Sequence, residues 1–208
     1  MEQSMTVGVI GAGTMGQGIA QIAASAGHDV LLVDRDEAAM ERALANLDRI
    51  LKRLVEKGRL APGESDDILS RIRTSSELTA CAACGLVIEA IVEKEDVKQT
   101  VFASLESIVG ETTILATNTS SLSVTRLAAG LAHPSRFLGL HFFNPAPLLP
   151  LVEVVPALQT RQGLAEEMAV LMRNWGKQPA IAKDTPGFIV NRVARPFYGE
   201  AIRIHEEG

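Results

Sequence analysis

Short apolar runs alternate with longer segments in which apolar residues recur every three or four positions, and this alternation covers most of the 208 residues. The run Thr6 to Ile10 is too short for anything but a buried strand. The alanine-rich stretch Thr14 to Ala26 after it reads as a helix. A strand over Asp29 to Val33 leads into a long helix, about Glu37 to Lys57, with Met40, Leu44, Leu47, Leu51, Leu54 and Val55 on its apolar side. Ala61-Pro62-Gly63 turns the chain, and a short helix, Glu64 to Ser70, precedes a strand around Ile72. Leu86 to Ile91, Thr113 to Ala116 and Phe137 to Phe142 read as strands, with a helix from Lys94 to Ile108 among them. Prolines 145, 147 and 150 break regular structure before a strand, Leu151 to Val155, a helix, Leu164 to Trp175, and a strand near Pro179 to Ala182. A turn at Asp184 to Gly187 precedes a last helix, Phe188 to His205. Its face of Ile189, Val190, Val193, Phe197, Ala201 and Ile204 has no evident partner in the sequence. Strands alternating with helices predict an α/β fold, a doubly wound and mainly parallel sheet with helices on both faces.

The turn after the first strand carries the chemistry. Gly11, Gly13 and Gly16 form G-x-G-x-x-G between strand and helix. Gly11 suits a tight turn, Gly13 lets the backbone approach a pyrophosphate, and Gly16 lets helix and strand pack closely. The helix N-terminus, with Thr14 and Met15 in its first turn, offers unpaired N–H groups and a positive dipole end to phosphates. Asp34 ends the second strand, about twenty residues on, where an acid meets the adenosine ribose. Together these predict a Rossmann-type dinucleotide site.

A hydrophobic fraction of 47% and a charged fraction of 22% suit a globular domain. The net charge of −5 argues against a nucleic-acid partner, which favours a basic footprint. No apolar run is long enough to span a bilayer, so no membrane role is expected. Met1 to Met5 lack the basic region and apolar core of a signal peptide, which predicts a cytoplasmic protein. Cys81-Ala-Ala-Cys84 has no second ligand pair for zinc and precedes its strand instead of following one, so it reads as small residues entering a buried strand. No metal site is expected.

Among the histidines, His28, His133 and His205 lie where surface placement explains them. His141 ends a strand at the carboxyl edge, where open α/β sheets hold ligands. Glu153 interrupts an otherwise apolar strand, and a buried carboxylate needs a partner. A His–Glu pair meets that need, the acid fixing the imidazole tautomer. A hydrogen-bonded interior histidine is the competing reading.

Five stretches resemble, in order, the 3-hydroxyacyl-CoA dehydrogenases: Gly11-Ala-Gly-Thr-Met-Gly16, Glu89-Ala-Ile-Val-Glu93, Asn118-Thr-Ser-Ser121, His141-Phe-Phe-Asn-Pro145 and Pro186-Gly-Phe-Ile-Val-Asn191. Residues 175–179 and 191–197 are most similar to the bacterial branch working in phenylacetate degradation. The resemblance implies NAD-dependent oxidation of a 3-hydroxyacyl-CoA to the 3-ketoacyl-CoA, as in fatty-acid β-oxidation. It puts the catalytic His at His141, its partner at Glu153, and substrate contacts at Ser120 and Asn191. NAD contacts fall on Asp34, Glu93, Lys98, Asn118, Ser120 and Asn144, alongside the glycine loop. A CoA-contacting lysine falls at Lys57, in a stripe with Arg49 and Arg53 that reads equally as a solvated helix face.

The resemblance also implies a dinucleotide-binding unit over 1–186 and, in 187–208, the first helix of an all-helical domain whose remainder is absent. In relatives that domain closes the cleft and makes the dimer contact, so full-length members are expected to be homodimers. Two other readings stand beside this one. One is a domain that holds NAD without turnover, and the other a 2-hydroxyacid or sugar-nucleotide dehydrogenase, which would lack the His141 to Pro145 stretch.

Overall fold

The computed structural model describes residues 5–208. Eight strands form one sheet in the order β3-β2-β1-β4-β5-β6-β7-β8. They are β1 (Thr6–Ile10), β2 (Asp29–Val33), β3 (Ile72–Ser75), β4 (Leu86–Glu89), β5 (Ile114–Thr117), β6 (Phe137–Phe142), β7 (Leu151–Pro156) and β8 (Gln178–Ile181). Every neighbouring pair is parallel except β6 and β7. From β1 the chain winds outward to β2 and β3, then returns to β4 on the other side. The crevice between β1 and β4 is therefore the switch point at which such sheets bind ligands.

Helices α1 (Thr14–Ser25), α2 (Glu37–Glu56), α3 (Glu64–Ser70) and α6 (Leu164–Asn174) cover one face, and α4 (Glu95–Glu106) and α5 (Val124–Ala128) the other. Under the first layer lie Ile19, Leu32, Leu47, Leu51 and Met172. Under the second lie Leu105, Leu127 and the edge-to-face pair Phe102 and Phe137, with ring centroids 4.8 Å apart. Each such side chain removed from water contributes about 1.5–3 kcal/mol. α1 begins against β1, and a methyl group at Gly16 would lie 1.7 Å from the carbonyl oxygen of Gly11.

The elements follow the hydrophobic pattern closely, with a few local differences. β4 stops at Glu89, so Ala90 and Ile91 belong to the loop beyond it. The short helix α5 forms where polar spacing gives no sign of one, because Ser123 caps it and the Asp184 carboxylate takes the N–H groups of Val124 and Thr125. Cys81 and Cys84 lie in and just after the 3-10 helix Leu78–Ala83, buried with free thiols, and the hydrogen bond with Cys84 together with burial pushes the Cys81 thiol up. His28 is buried against the Trp175 ring instead of lying at the surface.

The last helix, α7 (Val190–Glu207), starts two residues later than the pattern suggests. Phe188 has a positive φ of 47° and turns inward to 4% exposure, which keeps it out of the helix. No residue of α7 is buried, and Val193, Phe197, Tyr198 and Ile202 are all more than half exposed.

Candidate active site

The carboxyl edge gathers the loops that matter, because β1, β2, β4, β5 and β6 run in one direction. The glycine loop follows β1. Gly11 has φ +105°, and any side chain there would strike the carbonyl of Ala90 at 2.7 Å. A Cβ on Gly13 would meet nothing within 4 Å, so this position faces open space. Gly13 caps α1 without a side-chain hydrogen bond, and the first turn holds no acid. These are the features a dinucleotide pyrophosphate requires: donors, a positive dipole end and room for close approach. Thr14 is exposed and Met15 half-buried at the same rim.

Asp34 closes this loop from the end of β2. Its Oδ2 accepts the N–H of Ala12 at 2.7 Å, and its Oδ1 accepts that of Asp36 at 3.0 Å. Each carboxylate oxygen retains a lone pair for a ribose hydroxyl. The acid thus shapes the loop. On these features the site fits a dinucleotide.

A second acid organises the loop after β5. Glu93 Oε1 accepts the Thr119 hydroxyl at 2.5 Å and the N–H groups of Ser120 and Ser121 at 2.9 and 3.1 Å. The hydroxyls of Ser120 and Ser121 approach the same oxygen at 3.4 and 3.1 Å. Burial works to raise the pKa of this carboxyl. The Thr119 hydroxyl, the Lys98 ammonium and the Ser120 amide outweigh burial and hold it below the ordinary glutamate range.

Lys98 sits differently from its expected role. It is 1% exposed, with its ammonium 2.5 Å from Glu89 Oε1 and 3.3 Å from Glu93 Oε2. Lys98 is thus held as a buried cation between two carboxylates, Glu89 and Glu93. Glu89 completes the cluster, accepting the Thr117 hydroxyl at 2.7 Å and the Ile91 N–H at 2.7 Å. Asn118 Oδ1 accepts the Phe142 N–H at 2.8 Å and so joins the loop after β5 to the end of β6. Asn144 is exposed in the next loop, before a cis bond to Pro145. That loop is pinned from below by Lys177, whose buried ammonium donates to the carbonyls of Ala146 and Leu149 at 2.6 and 3.0 Å.

His141 and Glu153 face each other across the antiparallel β6–β7 pair. The imidazole Nδ1 lies 2.7 Å from Glu153 Oε2, and both residues are buried. Phe143 and Phe188 flank the ring, with centroids 4.4 and 5.7 Å away. Asn191, in the first turn of α7, donates from Nδ2 to the Ser120 carbonyl oxygen at 3.1 Å. The structure therefore brings His141, Glu153, Ser120, Asn191 and Glu93 into one connected site. Lys57 lies apart from these contacts, exposed at the end of α2. Sequence reasoning missed Glu89 as part of the cluster, and also the Ile189 and Val190 amides that hold Glu153. A second carboxylate at the end of an apolar strand was the available signal for Glu89.

A glycine loop at the switch point, an acid at the end of β2 and a histidine–carboxylate pair at the carboxyl edge belong to a Rossmann-type dinucleotide-binding domain. The family model for the 3-hydroxyacyl-CoA dehydrogenase NAD binding domain matches residues 6–185, and the chain belongs to that family. It is 48% identical over 202 residues to the 3-hydroxyadipyl-CoA dehydrogenase of Escherichia coli, covering 97% of this chain and 42% of that protein. It is 41% identical to the 3-hydroxybutyryl-CoA dehydrogenase of Clostridioides difficile, covering 98% and 73%. The crystal structure of 3-hydroxybutyryl-CoA dehydrogenase from E. coli K12 superposes with a TM-score of 0.96 at 48% identity, over 99% of this chain and 43% of that one. The chain thus spans between two fifths and three quarters of the length of these relatives. Among the described residues no helix is long and apolar enough to cross a membrane, and no cluster of His, Cys, Asp and Glu could hold a metal.

Proposed function

We propose that this chain is the NAD-binding, base-carrying part of an enzyme that oxidises a 3-hydroxyacyl-CoA to the 3-ketoacyl-CoA. The observation that carries the reading is the buried His141–Glu153 pair at the carboxyl edge, joined through Asn191 to the loop of Ser120. Oxidising a secondary alcohol removes a proton from oxygen and a hydride from carbon. Bound NAD supplies the hydride acceptor. With Nδ1 turned to Glu153, proton transfer from the substrate falls to His141 Nε2, and the carboxylate stabilises the imidazolium that results. Ser120 and Asn191 are the groups available to the oxygens of the hydroxyacyl thioester. Glu93 and Lys98 hold Ser120 in place, and Asp34 receives the adenosine ribose.

Lys57 is proposed to meet the CoA phosphates. Lys52 on the same helix is taken by Asp48 at 2.9 Å, whereas no ion pair among the described residues includes Arg53 or Lys57. The cytoplasm is the proposed compartment.

Reduction of acetoacetyl-CoA by NADH, compared with free 3-ketoacids and 2-ketoacids, tests the assignment. CoA-dependent turnover that His141→Ala abolishes is the expected result. Binding of NAD with no turnover of any thioester would make the chain a cofactor holder instead. Turnover of the free acids alone would move it to another dehydrogenase class.

A further inference from the structure

Glu153 is fully buried, so both of its oxygens need partners. One oxygen takes His141. The other, Oε1, accepts the N–H groups of Ile189 and Val190, each at 2.9 Å. Those amides open α7, so one carboxylate both orients the imidazole and docks a helix that is otherwise exposed. The chain around them is held unusually. Gly187 has φ +79° and Phe188 φ +47°, a region that side-chain-bearing residues seldom adopt. That backbone turns the Phe188 ring inward, edge-on to His141. Three residues further, Asn191 reaches the carbonyl oxygen of Ser120. A single turn of chain therefore touches the base, the acid behind it and the serine loop.

We propose that residues 187–191 form a positioning element for His141. The Ile189 and Val190 amides act through Glu153, and the Phe188 ring acts on the imidazole directly. Two N–H groups donating to one oxygen fix the plane of the carboxylate. A fixed, charged Oε2 then admits one imidazole orientation, with the proton on Nδ1 and the lone pair on Nε2. Movement of α7 relative to the sheet reaches the base without touching it. The catalytic meaning of this element rests on the dehydrogenase reading; the mechanical link does not.

Gly187→Ala tests the link, because it removes no side chain from the site. The added methyl would lie 3.0 Å from the Arg192 nitrogen and 3.3 Å from the Asn191 carbonyl carbon, at a φ that alanine resists. The first turn of α7 must therefore shift. Imidazole 15N resonances of histidine-labelled chain should show His141 as a single Nδ1–H tautomer in the native chain and as a mixture in the variant. Phe188→Leu keeps the pocket filled without the ring and is the second arm, read the same way, should Gly187→Ala not fold. Unchanged His141 resonances, in a variant whose Ile189 and Val190 amide signals have moved, would overturn the proposal. A His141 response without acyl-CoA turnover supports the link and counts against the dehydrogenase reading.

Discussion

His141 and Glu153 are direct cross-strand partners, twelve residues apart in sequence and joined Nδ1 to Oε2 at 2.7 Å across β6 and β7. The strand pairing itself supplies the geometry of the pair. Both backbones are fixed by ladder hydrogen bonds, so neither side chain has to search for the other. β6 and β7 are the one antiparallel pair among the described strands, so the start of β7 lies beside the end of β6 and Glu153 comes to the carboxyl edge with His141.

His141→Ala is expected to lower kcat by about 100-fold or more, the contribution of a general base, with NAD affinity near normal. The structure sharpens the companion prediction for Glu153→Gln. From sequence alone a glutamine is the milder change, because it only weakens an orienting partner. The Ile189 and Val190 amides, however, demand an oxygen at the Oε1 position. The glutamine NH2 must then face His141, forcing the ring proton onto Nε2, where it blocks base catalysis. Glu153→Gln should therefore approach His141→Ala in kcat. Steady-state kinetics on both variants decide this, and a loss under about tenfold for the glutamine would refute the tautomer argument.

Asp34→Ala should weaken NAD binding through two routes. It removes the acceptor for the ribose hydroxyls, and it releases the Ala12 amide that shapes the glycine loop. Discrimination against NADP should fall as well, since the carboxylate repels a 2′-phosphate. Titration with both cofactors checks this. An unchanged NAD to NADP affinity ratio in the variant would show that Asp34 serves the loop alone.

The parts of this architecture legible in the sequence are those in which spacing and geometry are the same thing. The three glycines lie in one turn, and Asp34 follows one strand later, so a linear pattern suffices. His141 and Glu153 stand out because a polar residue in an apolar strand carries its own demand for a partner. Other features depend on contacts that no local pattern encodes. Lys98 sits on an amphipathic helix, where lysine ordinarily faces water, and only the position of Glu89 at the end of β4 explains its burial. Asp184 caps α5 from about sixty residues away. Phe188 fits the period of a helix, yet the turn at Gly187 and its own positive φ set its ring against His141.

Lys98→Met separates a structural cation from a ligand contact. Removing the ammonium leaves Glu89 charged and fully buried with only the Thr117 hydroxyl and the Ile91 amide. Breaking a buried pair from one side costs about 3–5 kcal/mol. Urea unfolding should show a loss of that order, with weaker NAD binding as the Ser120 loop loosens. A variant of native stability that binds NAD poorly would restore Lys98 as a direct contact.

Lys57→Glu should raise KM for acyl-CoA, more at low salt, and leave NAD binding unaltered, because an exposed phosphate contact is screened by ions. A pantetheine thioester lacking the nucleotide phosphates supplies the control. Equal KM shifts for the two substrates would place the CoA phosphates elsewhere.

The Glu93 network predicts a sensitivity to acid. Its carboxyl is held below the ordinary range, since the Thr119 hydroxyl, the Lys98 ammonium and the Ser120 amide overcome the cost of burial. A carboxyl depressed in the folded state binds protons less readily than in the unfolded chain, so its stabilisation is complete above the unfolded value of about 4.3. The contribution declines as pH falls through the lower, folded value. Protonation of Glu93 withdraws the charge that gathers Thr119, Ser120 and Ser121, so the serine loop should loosen before the sheet does. Thermal unfolding followed from about pH 6 to about pH 3 should show a steeper loss for the native chain than for Glu93→Gln, which carries no titrating group there. The glutamine variant should be the less stable of the two at pH 6, and the two curves should converge toward pH 3. Parallel curves across that window would mean that the charge of Glu93 does not hold the loop.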